Sequence, residues 1–311
     1  MLQLIAIFMV LLLAVVAVQI SKNKKGERSF KAELLEFDIE NVTSLSLKGQ
    51  QASKLGLNIN LENVKWHIQT NDKSYNADAD LINSMLNELA GLKAIQKVAA
   101  KKEKWANFDV TDSAGVHVTV KSDSKVLGDL FIGRFSYNQN TRKPKTFVRL
   151  NKEKDVFAVE GYLSMTFNRD LNGLRDKSIF RGNSKDFTKI TLTYPADSSF
   201  TLTREANGWT INGQAADSVE TSKYLGSLAY LTGSEFMDDL EPSALSSVPY
   251  LITIEGNDMP IVEIKATPRE DGRIALISTV NPESVFNGTS GNLFDKIFVG
   301  PGKFQPVLKN E

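Results

Sequence analysis

The chain has 311 residues, 41% hydrophobic and 24% charged, a balance that suits globular structure and leaves room for one large domain or two ordinary ones. Its 37 basic and 37 acidic residues cancel, so no global field draws in a polyanion, and nucleic-acid binding is not expected. The absence of cysteine excludes disulfides, thiolate metal sites, a cysteine nucleophile and a lipidated N-terminal cysteine.

Residues 2–20, from Leu2 to Ile20, read LQLIAIFMVLLLAVVAVQI, without a charge and with Gln3 and Gln19 as the only polar side chains. As a helix this stretch would span roughly 29 Å, close to the thickness of a bilayer core. A cleaved signal peptide is the rival reading, but secretory apolar runs are shorter and end in a small-x-small site, whereas Gln19 and Ile20 stand where a small residue is wanted. An uncleaved single-pass anchor over residues 1–21 is therefore expected, followed by a basic linker over residues 22–33 that carries Lys22, Lys24, Lys25, Arg28 and Lys31. Those cations alone would favour the cytoplasmic side, although long domains cross regardless of such charges.

Beyond the linker, LGLNINLE places Leu55, Leu57, Ile59 and Leu61 on one face at period two, and VKWHIQ does the same with Val64, Trp66 and Ile68. An amphipathic helix is expected next, with Leu81, Ile82, Met85, Leu86, Leu89 and Leu92 at helical spacing and Asp78 at its entry as N-cap. Strands VHVTVK, VLGDLFIG, KTFVRL and DVFAVEG follow, then a helix-like YLSMTFNRDL.

A second copy of this pattern starts near residue 186. Ala77-Asp78 and Leu86-x-x-Leu-Ala-x-Leu reappear as Ala216-Asp217 and Leu225-x-x-Leu-Ala-x-Leu at a constant spacing of 139 residues, and Trp66-x-Ile reappears as Trp209-x-Ile. Strands YLITIE, IVEIKA, RIALIST and SVFNG then precede a helix-like NLFDKIFV, and Val156-Phe157 is answered by Val285-Phe286. A period of that size indicates domain duplication, not a solenoid. The expected architecture is α+β: an N-terminal transmembrane helix, then two tandem, duplicated α+β domains with mainly antiparallel sheets, over residues 34–180 and 186–309, with the boundary in IFRGNSKDF.

The N-terminal apolar run, the Trp strand, the Ala-Asp helix, LGDLFIGR, DVFAVEG and LRDKSIF with Arg175-Asp176 together resemble the bacterial proteins that carry domain of unknown function 4340. The likeness runs from about residue 40 to about residue 240 and rests on packing and turn patterns. The resemblance implies a membrane-anchored protein whose bulk lies outside the cytoplasm, often associated with gliding-type ABC transporters, without a known catalytic site.

The chain has no Gly-x-Ser-x-Gly elbow, His-Glu-x-x-His, Walker-type loop or strand-to-helix Gly-x-Gly-x-x-Gly. His67 and His117 are its only histidines, and alternation sends both to the wetter strand face, as surface residues without a function. Asp78 and Asp80 read as helix capping and a macrodipole contact rather than an acid/base pair or cation site. The cluster MDDLEP, with Asp238, Asp239 and Glu241, reads as a solvated loop, with partner docking as the alternative. Trp66 and Trp209 read as core rather than a stacking platform, and NGTSGN at 287–292, lacking a P-loop Lys, as the loop before the last helix. No catalytic, cofactor-binding or metal residue is assigned.

The expected function is a non-catalytic, membrane-anchored extracytoplasmic accessory or scaffold subunit, held in the inner membrane through Leu2 to Ile20 and partnered by an integral membrane protein such as an ABC transporter subunit. A small-molecule ligand is not expected. The alternatives are an envelope module binding a glycan, lipid or peptide in the cleft between the copies, and an enzyme using a carboxylate pair.

Overall fold

The computed structural model describes residues 32–49, 56–70, 73–139, 142–245 and 248–306. They pack as two compact units: the described residues up to Asn60 with Asn83–Arg169, and Leu61–Ile82 with the residues from Asp170 onward. Antiparallel strands dominate, nineteen among the described residues. The longest described helix, α1 (Ala79–Ala90), has 12 residues.

The expected α+β class behind a transmembrane helix is thus corrected to a mainly antiparallel β fold with short helices. No described helix is long and apolar enough to cross a membrane, and the stretch 2–20 lies outside the described residues. The physical reason for the low helix content lies in the two helix-like tails. YLSMTFNRDL forms α2 (Leu163–Phe167) and α3 (Leu171–Leu174), separated at Asn168, whose ψ of 72° leaves the helical region, and restarted by Asp170, which accepts from the Gly173 N–H at 2.7 Å. NLFDKIFV gives one turn, α5 (Leu293–Ile297), entered through Gly291 and Asn292, both left-handed.

In the first unit, β1 (Ser44–Lys48), β2 (Leu57–Glu62), β5 (Ala94–Ala99), β6 (Val116–Ser122), β7 (Lys125–Asn138), β8 (Lys143–Leu150) and β9 (Val156–Glu160) pair in the order β2-β1-β6-β7-β8-β9-β5. Alternation buries Leu45, Leu47, Val118, Val120, Leu130 and Ile132. The β9 run Val156–Val159 is buried throughout, as a continuous apolar run in a sheet covered on both faces should be. On one of those faces Trp105, Val110, Phe131, Phe147, Val156 and Ala158 cluster. The Arg149 guanidinium lies within that cluster, 3.7 Å from the Trp105 ring and 4.2 Å from the Phe131 ring. Its nitrogens donate to the carbonyls of Val110 and Asn151 and to the Asp112 carboxylate at 2.9–3.1 Å. Burial pushes its pKa below the usual arginine value, opposed by Asp112.

In the second unit, β11 (Phe187–Thr193), β12 (Phe200–Glu205), β13 (Gly208–Ile211), β14 (Gln214–Ala215), β16 (Tyr250–Gly256), β17 (Val262–Pro268), β18 (Ile274–Ser278) and β19 (Asn281–Asn287) form a sheet ordered β14-β13-β12-β11-β16-β17-β18-β19. A separate ladder joins β10 (Ser178–Arg181) to β15 (Tyr230–Thr232). Helix α4 (Ser218–Leu228) buries Thr221, Tyr224, Leu225 and Leu228, the i, i+3, i+4, i+7 stripe of an amphipathic helix. These join a core that includes Phe187, Ile190, Leu192, Ile252, Ile254 and Phe286, each such side chain contributing roughly 1.5–3 kcal/mol of burial. Leu231, expected on that helix, is instead buried in β15.

The strand order β2-β1-β6-β7-β8-β9 recurs as β12-β11-β16-β17-β18-β19. Each copy inserts a hairpin, β3 (Lys65–Gln69) with β4 (Ser74–Asn76) or β13 with β14, before its long helix. The hydrogen bonds at the helix start also recur. The Ala77 N–H donates to the Trp66 carbonyl at 2.8 Å and the Ala216 N–H to the Trp209 carbonyl at 3.0 Å. The Asp78 and Asp217 N–H groups donate to Leu174 and Phe304 at 2.9 and 2.8 Å, so each helix start is stitched to a late short helix of its own copy.

Candidate functional site

The segment Leu61–Ile82 brings the first candidate residues into the second unit. Asn63 and Val64, both at positive φ (48° and 71°), turn the chain between β2 and β3, which leaves Val64 92% exposed; its expected place on the apolar strand face is corrected accordingly. Trp66 is buried, as expected for a core residue, whereas Trp209 is half-buried with the Arg204 guanidinium 5.4 Å from its ring.

A groove of about 380 Å³ runs beside Trp66, lined among others by Asp78, Asp80, Asp176, Ser178 and Arg181. Every carboxylate in it is engaged. Asp78 accepts from the Leu81 N–H at 3.1 Å as the N-cap of α1, Asp80 pairs with Arg181 at 3.2 Å, and Asp176 accepts from the Ser178 N–H at 2.8 Å. In the second copy Asp217 accepts from the Val219 and Glu220 N–H groups at 2.9 Å each. The capping reading of Asp78 matches this geometry, and Asp80 is turned to Arg181.

A second buried guanidinium is that of Arg175, which follows α3 in extended conformation and bridges Ala77. Its guanidinium is sandwiched between the Tyr75 ring at 4.1 Å and the Phe236 ring at 3.5 Å. Nη1 donates to both Asp238 oxygens at 2.7 and 3.0 Å and to Asn172 Oδ1 at 3.3 Å, while the buried Nε has no partner. The neighbouring acids are also paired: Asp239 with Arg273 at 2.7 Å, Arg273 with Asp271 at 2.7 Å, and Glu241 with Lys73. The hydrogen bonds from Arg273 hold the Asp239 and Asp271 carboxyls below the usual carboxylate range, and the bond to Glu241 raises Lys73 above its usual value. The acidic cluster MDDLEP is a solvent-exposed loop, as expected, in which the three carboxylates bind three separate cations and Met237 alone of the run is fully buried. The sequence flags Arg175-Asp176 as a pattern, but nothing local predicts that this arginine is buried.

His67 sits half-buried in β3 opposite Asn76. His117, expected as a free surface residue, is half-buried in the first unit: its Nε2 lies 2.6 Å from Asp129 and its ring stacks on Phe131 at 4.4 Å. In the 287–292 loop, Asn287 Oδ1 accepts from the Thr289 N–H and hydroxyl, a turn closed on itself. Among the described residues no three His, Asp or Glu side chains gather as a metal site.

A family model described as Domain of unknown function (DUF4340) matches residues 66–248, a span that begins at Trp66 and takes in Arg175 and the 238–241 acids. No curated protein and no solved structure matches the chain.

Proposed function

The chain belongs to the DUF4340 family, and from that membership we propose a non-catalytic role: an extracytoplasmic accessory or scaffold subunit of a membrane complex, partnered by an integral membrane protein of the ABC-transporter class. The observation that carries this reading is the engagement of the carboxylates at the helix starts, in the groove beside Trp66 and around Arg175. An acid/base enzyme needs a carboxylate with a free lone pair facing a substrate, whereas Asp78 and Asp217 cap helices, and Asp80, Asp238, Asp239 and Glu241 bind Arg181, Arg175, Arg273 and Lys73. Such an arrangement fixes a surface and leaves it to recognition. The apolar composition of residues 2–20 supports attachment to the inner membrane, and the family resemblance implies that the bulk of the chain lies on its outer side.

The test is a pull-down of the full-length chain from native membranes in mild detergent, with mass spectrometry of what accompanies it. Reproducible co-recovery of one set of integral membrane proteins is the expected result. Recovery of the chain alone, or its release into the soluble fraction by salt washing, would overturn the proposal.

A further inference from the structure

The end of the β7–β8 hairpin in the first unit exposes a group of large apolar side chains. Phe135 and Tyr137 share one face of β7, at 40% and 47% exposure. The Tyr162 ring lies 5.6 Å from that of Phe135, and Met165 follows one turn later within α2; Tyr162 and Met165 are 45% and 64% exposed. Scattered exposed apolar residues are ordinary, but a contiguous group marks an interaction surface.

Charge says which kind. From residue 130 to residue 152 the sequence holds six basic residues and no acidic one, in a chain whose total charges cancel. Arg149 is buried in its aromatic cluster and Lys143 pairs with Glu160 at 3.1 Å. Arg134, Arg142 and Lys145 make no ion pair among the described residues, and all three flank the apolar group on the same hairpin. Four apolar side chains fall well short of the roughly 800 Å² that each partner of a stable protein interface buries. Aromatic rings with polar tips beside unmatched Arg and Lys suit the boundary between headgroups and acyl chains of an anionic bilayer, where cations meet lipid phosphates.

We propose that this hairpin end docks on an anionic phospholipid surface, with Phe135, Tyr137, Tyr162 and Met165 entering the interfacial layer and Arg134, Arg142 and Lys145 contacting phosphates. This rests on the membrane setting proposed above and adds a second point of attachment to it.

The test uses the full-length chain with nanodiscs of phosphatidylglycerol or of phosphatidylcholine, and reads amide hydrogen exchange along the strand ends 134–137 and 143–146. The expected result is slower exchange on phosphatidylglycerol, reversed by high salt, weaker on phosphatidylcholine, and lost in the Tyr137→Ser/Met165→Ser variant. Both side chains are substantially exposed, so that variant should keep its melting temperature, which separates lost docking from lost folding. Association with both kinds of disc without change in hairpin exchange would overturn this proposal and leave the membrane reading intact. A chain that associates with neither disc would overturn both. Protection that appears only when a membrane protein is added would make the patch a protein-docking surface and overturn the lipid assignment.

Discussion

A valine at φ 71° is held where a β-branched side chain crowds its own backbone, and Val64 occupies that position at the second corner of a two-residue turn. Turns of this kind favour Asn-Gly, and Asn63 already supplies the first half. Val64→Gly should therefore stabilise the chain by about 1 kcal/mol in urea unfolding, since Val64 is 92% exposed and loses no packing. An unchanged or lower midpoint would mean that the backbone at Val64 carries no strain. The same residue shows where alternation misleads: VKW scans as a period-two face, yet its first member is the turn. Capping is more legible, because Asp78 and Asp217 satisfy N–H groups within three residues. The Arg175 sandwich is not, since its carboxylate partner stands 63 residues away and its aromatic walls come from Tyr75 and Phe236.

Among the elements, β7 is shaped by Gly133, at a bulge in its pairing with β8 between Ile132 and Phe135. A Cβ at Gly133 would overlap the Phe108 carbonyl oxygen, so the close approach of that loop requires glycine. Gly226, inside α4, has nothing within 4 Å of an added Cβ. Gly133→Ala should cost about 1–3 kcal/mol through overpacking, and Gly226→Ala should add about 0.5–1 kcal/mol through reduced backbone freedom. Thermal melting of the two variants checks both signs; equal shifts would show that the bulge can relax. Strand positions were legible because alternation is local, and so were the duplicated Trp-x-Ile and Ala-Asp motifs. The short strands β4, β5, β10, β14 and β15 were not legible, since each is defined by a partner rather than by its own two to six residues. The helix content was overread at 162–171 and 292–299, where apolar spacing fits a helix but the backbone leaves the helical region at Asn168 (ψ 72°) in the first and at Phe298 (ψ 85°) in the second.

For the whole molecule, balanced charge makes acid response depend on individual pairs. Asp239 and Asp271 have folded pKa values below their ordinary ones because of Arg273, so the stability they contribute is present above the ordinary carboxylate range and is lost as pH falls through the depressed values. The melting temperature of Arg273→Gln should thus lie below that of the parent chain near neutral pH, and the gap should close as pH drops below the usual carboxylate range. Because these groups are exposed, salt should narrow the gap too. A gap of constant size at every pH would assign the effect of Arg273 to packing. The division of the chain also sets an order of events during its manufacture. The stretch Leu61–Ile82 leaves the ribosome long before Leu174, Arg175 and Asn281, whose backbone or side chains hold Asp78, Tyr75 and Asn76. At ordinary rates of elongation the wait until Asn281 is roughly 10–40 s. During that interval the β3–β4 hairpin must be shielded or tolerated without its partners, and no fragment that stops short of Asn281 contains the full set.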